Sequence, residues 1–282
     1  MKTIAVTGSS GFIGRHLLGA LREQQYNIIE IDIEKDLDIS DWSKARNIPH
    51  FDIIIHLAAK TFVPDSFKRP HEFYFVNQSS TLNVLELARI NSASVIYFSS
   101  YLYGTPEYLP IDEKHPLKPH NPYAQSKIIC EKICEGYYRD FGVPVIIFRP
   151  FNIYGPGQNS SFLIPGIIEQ QKSGKILLKD PRPKRDFIHV SDIIYAVMLA
   201  IKLENPGLQT FNLGTGKSYS VEEIVNLIIK YYGKRTVVKY TNEYRPGEVL
   251  DTIADIRKIS TVLKWSPSIN IEKGLDALLE KG

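Results

Sequence analysis

The chain has 282 residues, of which 43% are hydrophobic and 23% charged, proportions typical of a globular protein with a sizeable core. Its 34 lysines and arginines exceed its 31 aspartates and glutamates by three, an excess too small to indicate a nucleic-acid partner. No stretch reaches the roughly 18 apolar residues of a membrane span, and the N-terminus lacks the apolar segment of a signal peptide.

The two cysteines, Cys130 and Cys134, are too few for a disulfide framework or a zinc site. They lie four residues apart in a predicted helix, so we interpret them as packed thiols. Together with the absence of a membrane span and of a signal peptide, they favour a cytoplasmic protein.

Short apolar runs alternate with helical patterns over the first 150 residues. The apolar runs predict strands at residues 2–8, 27–33, 51–58, 94–100 and 143–150. The helical patterns predict helices at residues 12–24, 76–90 and 122–141. Strands that are apolar on both faces and separated by helices indicate a parallel sheet with helices on both sides.

After residue 150 the sequence becomes rich in glycine, proline and asparagine, and a proline-rich basic loop follows at residues 180–186. Residues 187–205 predict a strand end and a helix, Ser220 and Glu223 form the pattern of a capping box, and a final helix is predicted after residue 274. We expect a dinucleotide-binding domain at 1–150, to which 186–215 returns. Residues 151–282 then form mainly a smaller substrate-binding lobe at the carboxyl edge of the sheet.

Three glycines, Gly8, Gly11 and Gly14, lie between the first predicted strand and the first predicted helix. This pattern allows backbone to approach a pyrophosphate at a helix N-terminus, and it predicts a Rossmann-type doubly wound fold. Asp32 ends the second strand, where its carboxylate can bind the adenosine ribose hydroxyls and repel the 2′-phosphate of NADP. The alternative for Asp32 is a solvated position in an acidic loop.

The glycine spacing, together with the Tyr-x-x-x-Lys of YAQSK (123–127), resembles the extended short-chain dehydrogenase/reductase family. More narrowly, the chain resembles its nucleotide-sugar epimerases, dehydratases and reductases. The resemblance covers nearly the whole chain through nine blocks in order: TGSSGFIG (7–14), HLAA (56–59), NQSSTLNVLE (77–86), FSSYLYG (98–104), NPYAQSK (121–127), RPFNIYGPGQ (149–158), RDFIHVSD (185–192), FNLGTGKSYSVEE (211–223) and RPGEV (245–249).

The resemblance implies that Tyr123 is the general acid/base and that Lys127 holds the nicotinamide ribose. A tyrosine with its ordinary pKa of about 10 is a poor base at neutral pH, whereas a nearby cation lowers that pKa. Residues four apart on a helix share one face, so we expect Lys127 to lower the pKa of Tyr123.

A serine that assists the tyrosine is also implied by the resemblance. Counting back from Tyr103 favours Ser99, but the segment is one residue shorter than is usual in the family, so Ser100 remains an alternative. Either serine could instead serve only to bond the backbone at a strand end.

Further site residues follow from the resemblance. The expected cofactor is NAD, with NADP possible, and no metal is expected. The expected cofactor-binding residues are Gly8, Gly11, Phe12, Ile13, Gly14, Asp32, Asp38, Ile39, Leu57, Ala58, Ala59, Asn77, Tyr123, Lys127 and Pro150. The expected substrate-binding residues are Ser99, Ser100, Asn152, Arg185 and Arg245, where arginines suit phosphate oxygens. We interpret His56 and His189 as packed residues rather than catalysts.

Reduction of a 4-keto-6-deoxyhexose attached to a nucleotide is the reaction we favour. The connection from Asp32 to Asp38 is shorter than in UDP-hexose 4-epimerases, and HLAAKTFVPDSFKRP resembles a stretch of GDP-4-keto-6-deoxymannose reductases. Dehydratases usually place Asp-Glu after the catalytic threonine, whereas Ser100 and Tyr101 stand here.

Two alternatives remain. An NAD-dependent UDP-hexose 4-epimerase is favoured by RPGEV (245–249), and a non-catalytic dinucleotide sensor would typically lack the tyrosine or the lysine. The resemblance also implies a homodimer through the helices that begin near Val76 and Pro122. In such a dimer, the apolar residues of the second helix would be divided between the protein core and the dimer interface: Ile128, Ile129, Ile133 and Tyr137.

Overall fold

The computed structural model describes residues 1–233, 235–244 and 248–279. Its strands are β1 (Thr3–Thr7), β2 (Asn27–Ile31), β3 (Ile53–His56), β4 (Ser94–Phe98), β5 (Val145–Pro150), β6 (Asn152–Tyr154), β7 (Lys175–Leu178), β8 (Lys184–His189), β9 (Leu208–Leu213), β10 (Ser218–Ser220) and β11 (Val237–Tyr240). Its α-helices are α1 (Phe12–Glu23), α2 (Trp42–Ala45), α3 (Val63–Lys68), α4 (Pro70–Asn91), α5 (Pro122–Phe141), α6 (Leu163–Lys172), α7 (Val190–Ala200), α8 (Val221–Tyr232), α9 (Arg257–Leu263) and α10 (Ile271–Leu279).

The chain forms two compact units. Unit 1 comprises Met1–Gly104, Pro116–Pro150 and Ile194–Phe211. Unit 2 comprises Thr105–His115, Phe151–Ile193 and the chain from Asn212 onward.

A six-stranded sheet with the order β2-β1-β3-β4-β5-β9 is the centre of unit 1. Each pairing from β2 to β5 is parallel, and Ile4 of β1 lies opposite Ile28 of β2 and Ile53 of β3. The predicted doubly wound Rossmann-type fold is confirmed. The strand order reverses between β1 and β3, so the loops after these two strands flank the topological switch point, where open α/β sheets bind ligands.

Helices α4 and α5 pack against each other and cover the apolar sheet. Both strands and helices contribute to this core, including Val84, Ala88, Cys130 and Cys134. The predicted start of α4 at residue 76 was wrong, because the helix begins at Pro70. Proline is favoured in the first helical turn, where its missing N–H has no partner to lose.

Unit 2 contains a three-stranded sheet, β10-β8-β6, and a parallel pair, β11-β7. The predicted capping box at the start of α8 is confirmed, since Ser220 and Glu223 bond each other's backbone. The predicted start of the last helix was wrong, because α10 begins at Ile271, where the Asn270 side chain accepts from Lys273 N at 2.9 Å. Among the described helices, none combines the length and the hydropathy needed to cross a membrane.

Candidate active site

The glycine loop joins β1 to α1, and two of its glycines are required by close backbone contacts. Gly8 has a φ of +68°, and a Cβ there would lie 2.8 Å from the Ala58 nitrogen. A Cβ on Gly14 would lie 2.3 Å from the Gly8 carbonyl oxygen. The loop therefore packs tightly against the N-terminus of α1, whose first N–H groups have no side-chain cap. This cradle fits the pyrophosphate of a dinucleotide.

Asp32 follows β2 and is 9% exposed. One carboxylate oxygen accepts from Ser10 N at 2.8 Å and the other from Glu34 N at 3.0 Å. The carboxylate therefore connects the end of β2 to the glycine loop. Each oxygen keeps a further lone pair, so the group fits a ribose diol as well.

The connection from Asp32 to Asp38 contains one 3-10 turn, Ile33–Lys35, and no α-helix. Asp38 accepts from both the N–H and the hydroxyl of Ser40, at 2.9 and 2.7 Å. The Ile39 side chain is buried in the core of unit 1, and its carbonyl oxygen accepts from the Asn83 amide at 2.8 Å.

The loop after β3 is hydrogen-bonded to the side chains of Thr7 and Asn77. Leu57, Ala58 and Ala59 are partly exposed, and the N–H groups of Leu57 and Ala58 donate to the Thr7 hydroxyl at 3.2 and 3.1 Å. Asn77 is 1% exposed, and its amide bonds Lys60 N, Lys60 O and the Ser126 hydroxyl. The Asn77 amide is therefore engaged within the protein, and this residue supports the loop.

Tyr123 lies in the first turn of α5, where Asn121 accepts from Ala124 N at 2.7 Å and Pro122 occupies the first helical position. The Tyr123 phenol is hydrogen-bonded to the hydroxyl of Ser100. The Ser99 hydroxyl is buried and has no hydrogen-bond partner among the described residues. The structure thus brings Ser100, rather than the preferred Ser99, to the tyrosine.

Burial raises the pKa of Tyr123, and the hydrogen bond from Ser100 opposes that rise. The expected lowering of the Tyr123 pKa was wrong for the protein chain by itself. Burial of the phenol outweighs the hydrogen bond with Ser100. Burial lowers the pKa of Lys127 to about 8, while Cys130, Cys134 and Glu131 act in the opposite direction. Lys127 therefore carries its charge at neutral pH.

A buried ion pair at the end of β5 was missed from the sequence. Arg149 donates to both carboxylate oxygens of Glu131, at 3.0 and 2.6 Å, and to the Tyr103 hydroxyl at 3.1 Å. Arg149, the residue before the buried Pro150, thereby connects Glu131 of α5 to Tyr103, which lies shortly after Ser99 and Ser100. A charged residue inside an otherwise apolar strand was the available signal, but its partner could not be identified from spacing.

Asn152, Arg185 and His189 lie in unit 2. Asn152 is exposed at the start of β6. Arg185 in β8 pairs with the Glu248 carboxylate and donates to Val249 O at 2.6 Å. Arg245 lies outside the described residues. His189 is 5% exposed and packs edge-on against Tyr154, which agrees with its interpretation as a packed residue.

The family model for the NAD dependent epimerase/dehydratase family matches residues 4–214. A putative UDP-glucose 4-epimerase of Methanocaldococcus jannaschii is 32% identical over 298 residues, covering 96% of this chain and 95% of that protein. A GDP-6-deoxy-D-talose 4-dehydrogenase of Aggregatibacter actinomycetemcomitans is 34% identical over 274 residues, covering 92% and 90%. The solved structure of RMD from Pseudomonas aeruginosa complexed with NADPH has a TM-score of 0.91 at 28% identity, covering 99% and 98%.

Proposed function

Since this chain belongs to the NAD-dependent epimerase/dehydratase family of extended short-chain dehydrogenases/reductases, we propose that it is an NAD(P)-dependent enzyme acting at C4 of a nucleotide-diphosphate sugar. The observation that carries the proposal is the arrangement around Tyr123. Its phenol is hydrogen-bonded to Ser100, and Lys127 lies one helical turn further along α5. A phenol with a hydroxyl partner is suited to proton transfer, and Lys127, four residues on along the same helix face, would supply the positive charge that its phenolate needs.

The glycine loop and the loop after β3 would hold the dinucleotide. Gly8 and Gly14 leave the space that a pyrophosphate needs, and Asp32 suits the adenosine ribose. When bound, the nicotinamide carries the hydride that is exchanged with the sugar carbon. Both NAD and NADP remain candidates, because Asp32 favours NAD while the similar Pseudomonas protein is complexed with NADPH.

We further propose that the sugar carries a 4-keto group that becomes a hydroxyl. In this reduction Tyr123 gives its phenolic proton to O4, and Lys127 stabilises the phenolate that remains. The short Asp32–Asp38 connection supports this choice, as does the similar dehydrogenase whose name places its chemistry at position 4 of a 6-deoxysugar. Tyr101 follows Ser100 where a dehydratase would carry a carboxylic acid.

The second candidate is 4-epimerisation, which the relative from Methanocaldococcus jannaschii supports. In that reaction the Tyr123 phenolate removes the proton of the 4-hydroxyl and later returns it. The same residues serve both reactions, so the difference lies in whether the oxidised cofactor is retained between turnovers.

The substrate's diphosphate would be bound by Asn152, Arg185 and Arg245. Arg185 is held in place by Glu248 and by Val249 O, and in this role it would present its remaining N–H groups to the phosphate oxygens. We also propose a homodimer, because α4 exposes Phe75 and Leu82 while α5 exposes Phe141. The two buried free thiols are in keeping with the reducing cytoplasm.

Analysis of the copurified cofactor tests the choice between the two reactions. The purified protein is denatured and the supernatant is assayed for NAD. For a reductase, we expect little released NAD and oxidation of NADH or NADPH when a 4-keto-6-deoxyhexose nucleotide is added. Stoichiometric NAD, together with interconversion of UDP-glucose and UDP-galactose without added cofactor, would instead establish the epimerase.

A further inference from the structure

A buried row of hydrogen bonds lies beneath the loop after β3. It consists of Thr7 at the end of β1, His56 at the end of β3 and Thr81 in α4, each at most 2% exposed. The Thr7 hydroxyl oxygen is 2.7 Å from His56 Nδ1, and His56 Nε2 is 3.3 Å from the Thr81 hydroxyl oxygen. None of these three residues takes part in the proton transfer proposed for Tyr123.

The Thr81 end of the row determines which histidine nitrogen carries the hydrogen. The Thr81 hydroxyl oxygen is 2.7 Å from the carbonyl oxygen of Asn77, so a hydrogen must lie between these two oxygens. A carbonyl has none to give, and therefore Thr81 donates its hydroxyl hydrogen to Asn77. The Thr81 oxygen can then only accept from His56, which requires a hydrogen on Nε2.

The Thr7 end leads to the same assignment independently. The Thr7 hydroxyl oxygen accepts from the N–H groups of Leu57 and Ala58. The Leu57 N–H also donates to the Thr7 carbonyl oxygen. Because a hydroxyl has two acceptor lone pairs and one hydrogen, Thr7 must donate that hydrogen to His56 Nδ1. Burial and the nearby Lys127 lower the pKa of His56 to about 3, in agreement with a neutral ring.

We propose that His56, held as the neutral Nε2–H tautomer, is a positioning residue for the cofactor-binding loop. By accepting the Thr7 hydrogen, His56 turns both lone pairs of that hydroxyl toward the N–H groups of Leu57 and Ala58. Gly8 has no side chain, so the backbone of Ala58 can lie against it. A Cβ on Gly8 would lie 2.8 Å from the Ala58 nitrogen. The assignment of this loop to the cofactor rests on the proposed function, whereas the tautomer does not.

The tautomer can be measured directly by nitrogen NMR of the imidazole, with the His56 signals assigned by their loss in His56→Asn. We expect a pyridine-type Nδ1 and a pyrrole-type Nε2 that stay unchanged between pH 5 and 8. A hydrogen on Nδ1, or titration near the ordinary histidine pKa of about 6.5, would overturn the inference.

Two substitutions at Thr7 test the effect on the loop, with NADH and NADPH fluorescence as the readout of binding. Thr7→Val removes the hydroxyl but keeps the shape, and we expect the cofactor Kd to rise about tenfold or more, because buried polar groups lose their partner. Thr7→Ser retains the hydroxyl and should restore binding. At saturating cofactor the turnover of Thr7→Val should change much less than its KM for cofactor.

A folded Thr7→Val that binds the cofactor as tightly as the unmodified chain would contradict the proposal. If Thr7→Val fails to fold, His56→Asn and His56→Leu replace it, because the asparagine oxygen can accept in place of Nδ1 while leucine cannot. Equal affinities of these two variants would then contradict the proposal. An unmodified chain that binds neither NADH nor NADPH would refute the proposed function, and the NMR result would still decide the tautomer.

Discussion

The ammonium nitrogen of Lys127 lies 4.3 Å from the ring centre of Tyr97. Both residues are buried, at 3% and 0% exposure, and they belong to α5 and β4. The face of an aromatic ring attracts a cation, and the interaction is worth about 2 kcal/mol when both groups are desolvated. Tyr97 therefore stabilises the charged form of Lys127 in surroundings that disfavour it.

Removing that ring should change the pH dependence of catalysis. The pKa of Lys127 is about 8, so the ammonium is present below pH 8 and is lost above it. Activity that needs the ammonium should fall above pH 8, and in Tyr97→Leu the fall should begin at lower pH. Tyr97→Phe keeps the ring face and serves as the matched control. The profile of kcat/KM against pH measures the effect, and identical profiles for the leucine and phenylalanine variants would contradict it.

Substitution of the proposed proton donor should abolish turnover. Tyr123→Phe keeps the ring but has no exchangeable proton, so we expect kcat to fall about 10²- to 10⁴-fold. Cofactor affinity should change far less, because the backbone cradle is untouched. Turnover at the wild-type rate with every nucleotide sugar tested would remove Tyr123 from the mechanism.

Ser100 and Ser99 can be separated by parallel alanine variants. Ser100 bonds the Tyr123 phenol and opposes the rise in its pKa, so Ser100→Ala should move the tyrosine limb of the pH profile to higher pH and lower kcat. Ser99→Ala should have the smaller effect on that limb, because its hydroxyl makes no bond in the described part of the chain. The reverse order of effects would support the original preference for Ser99.

Gly14 and Gly19 both lie in α1, and alanine substitutions at these two positions test whether close packing of the glycine loop requires Gly14. Gly14→Ala would bring a Cβ within 2.3 Å of the Gly8 carbonyl, so it should displace the loop, weaken cofactor binding and destabilise the fold. Nothing lies within 4 Å of a Cβ at Gly19, and alanine there should stabilise the helix by about 1 kcal/mol. Denaturant unfolding and cofactor titration measure both, and equal effects at the two positions would contradict the packing argument.

The proposed homodimer can be tested by sedimentation at micromolar concentration. We expect a dimer, and Leu82→Glu on the exposed face of α4 should weaken it, since Leu82 is 41% exposed. Leu177→Glu on β7, where the side chain is 59% exposed, changes a comparable surface leucine outside α4 and α5 and should leave the dimer intact. Sedimentation as a monomer at every concentration would refute the dimer.

Local features of the sequence predicted much of unit 1. Alternating apolar runs and helical patterns identified the strands of the sheet, because burial on both faces requires continuous apolar sequence. Element boundaries were less accurate at helix starts, because Pro70 begins α4 and Asn270 caps α10 earlier than the apolar pattern indicates. Short strands of unit 2, such as β6 and β10, have too few residues to show a period.

Sequence alone determined the kinds of residue at the site and their order, because a glycine loop, a Tyr-x-x-x-Lys helix and a terminal aspartate are read from neighbours in the chain. It could not determine which serine meets Tyr123, which groups surround Lys127 or what engages the Asn77 amide. Those depend on contacts between residues far apart in sequence, namely Ser100 with Tyr123, Tyr97 with Lys127 and Lys60 with Asn77. Only the tertiary structure brings these groups together, and burial then sets their hydrogen bonds and pKa values.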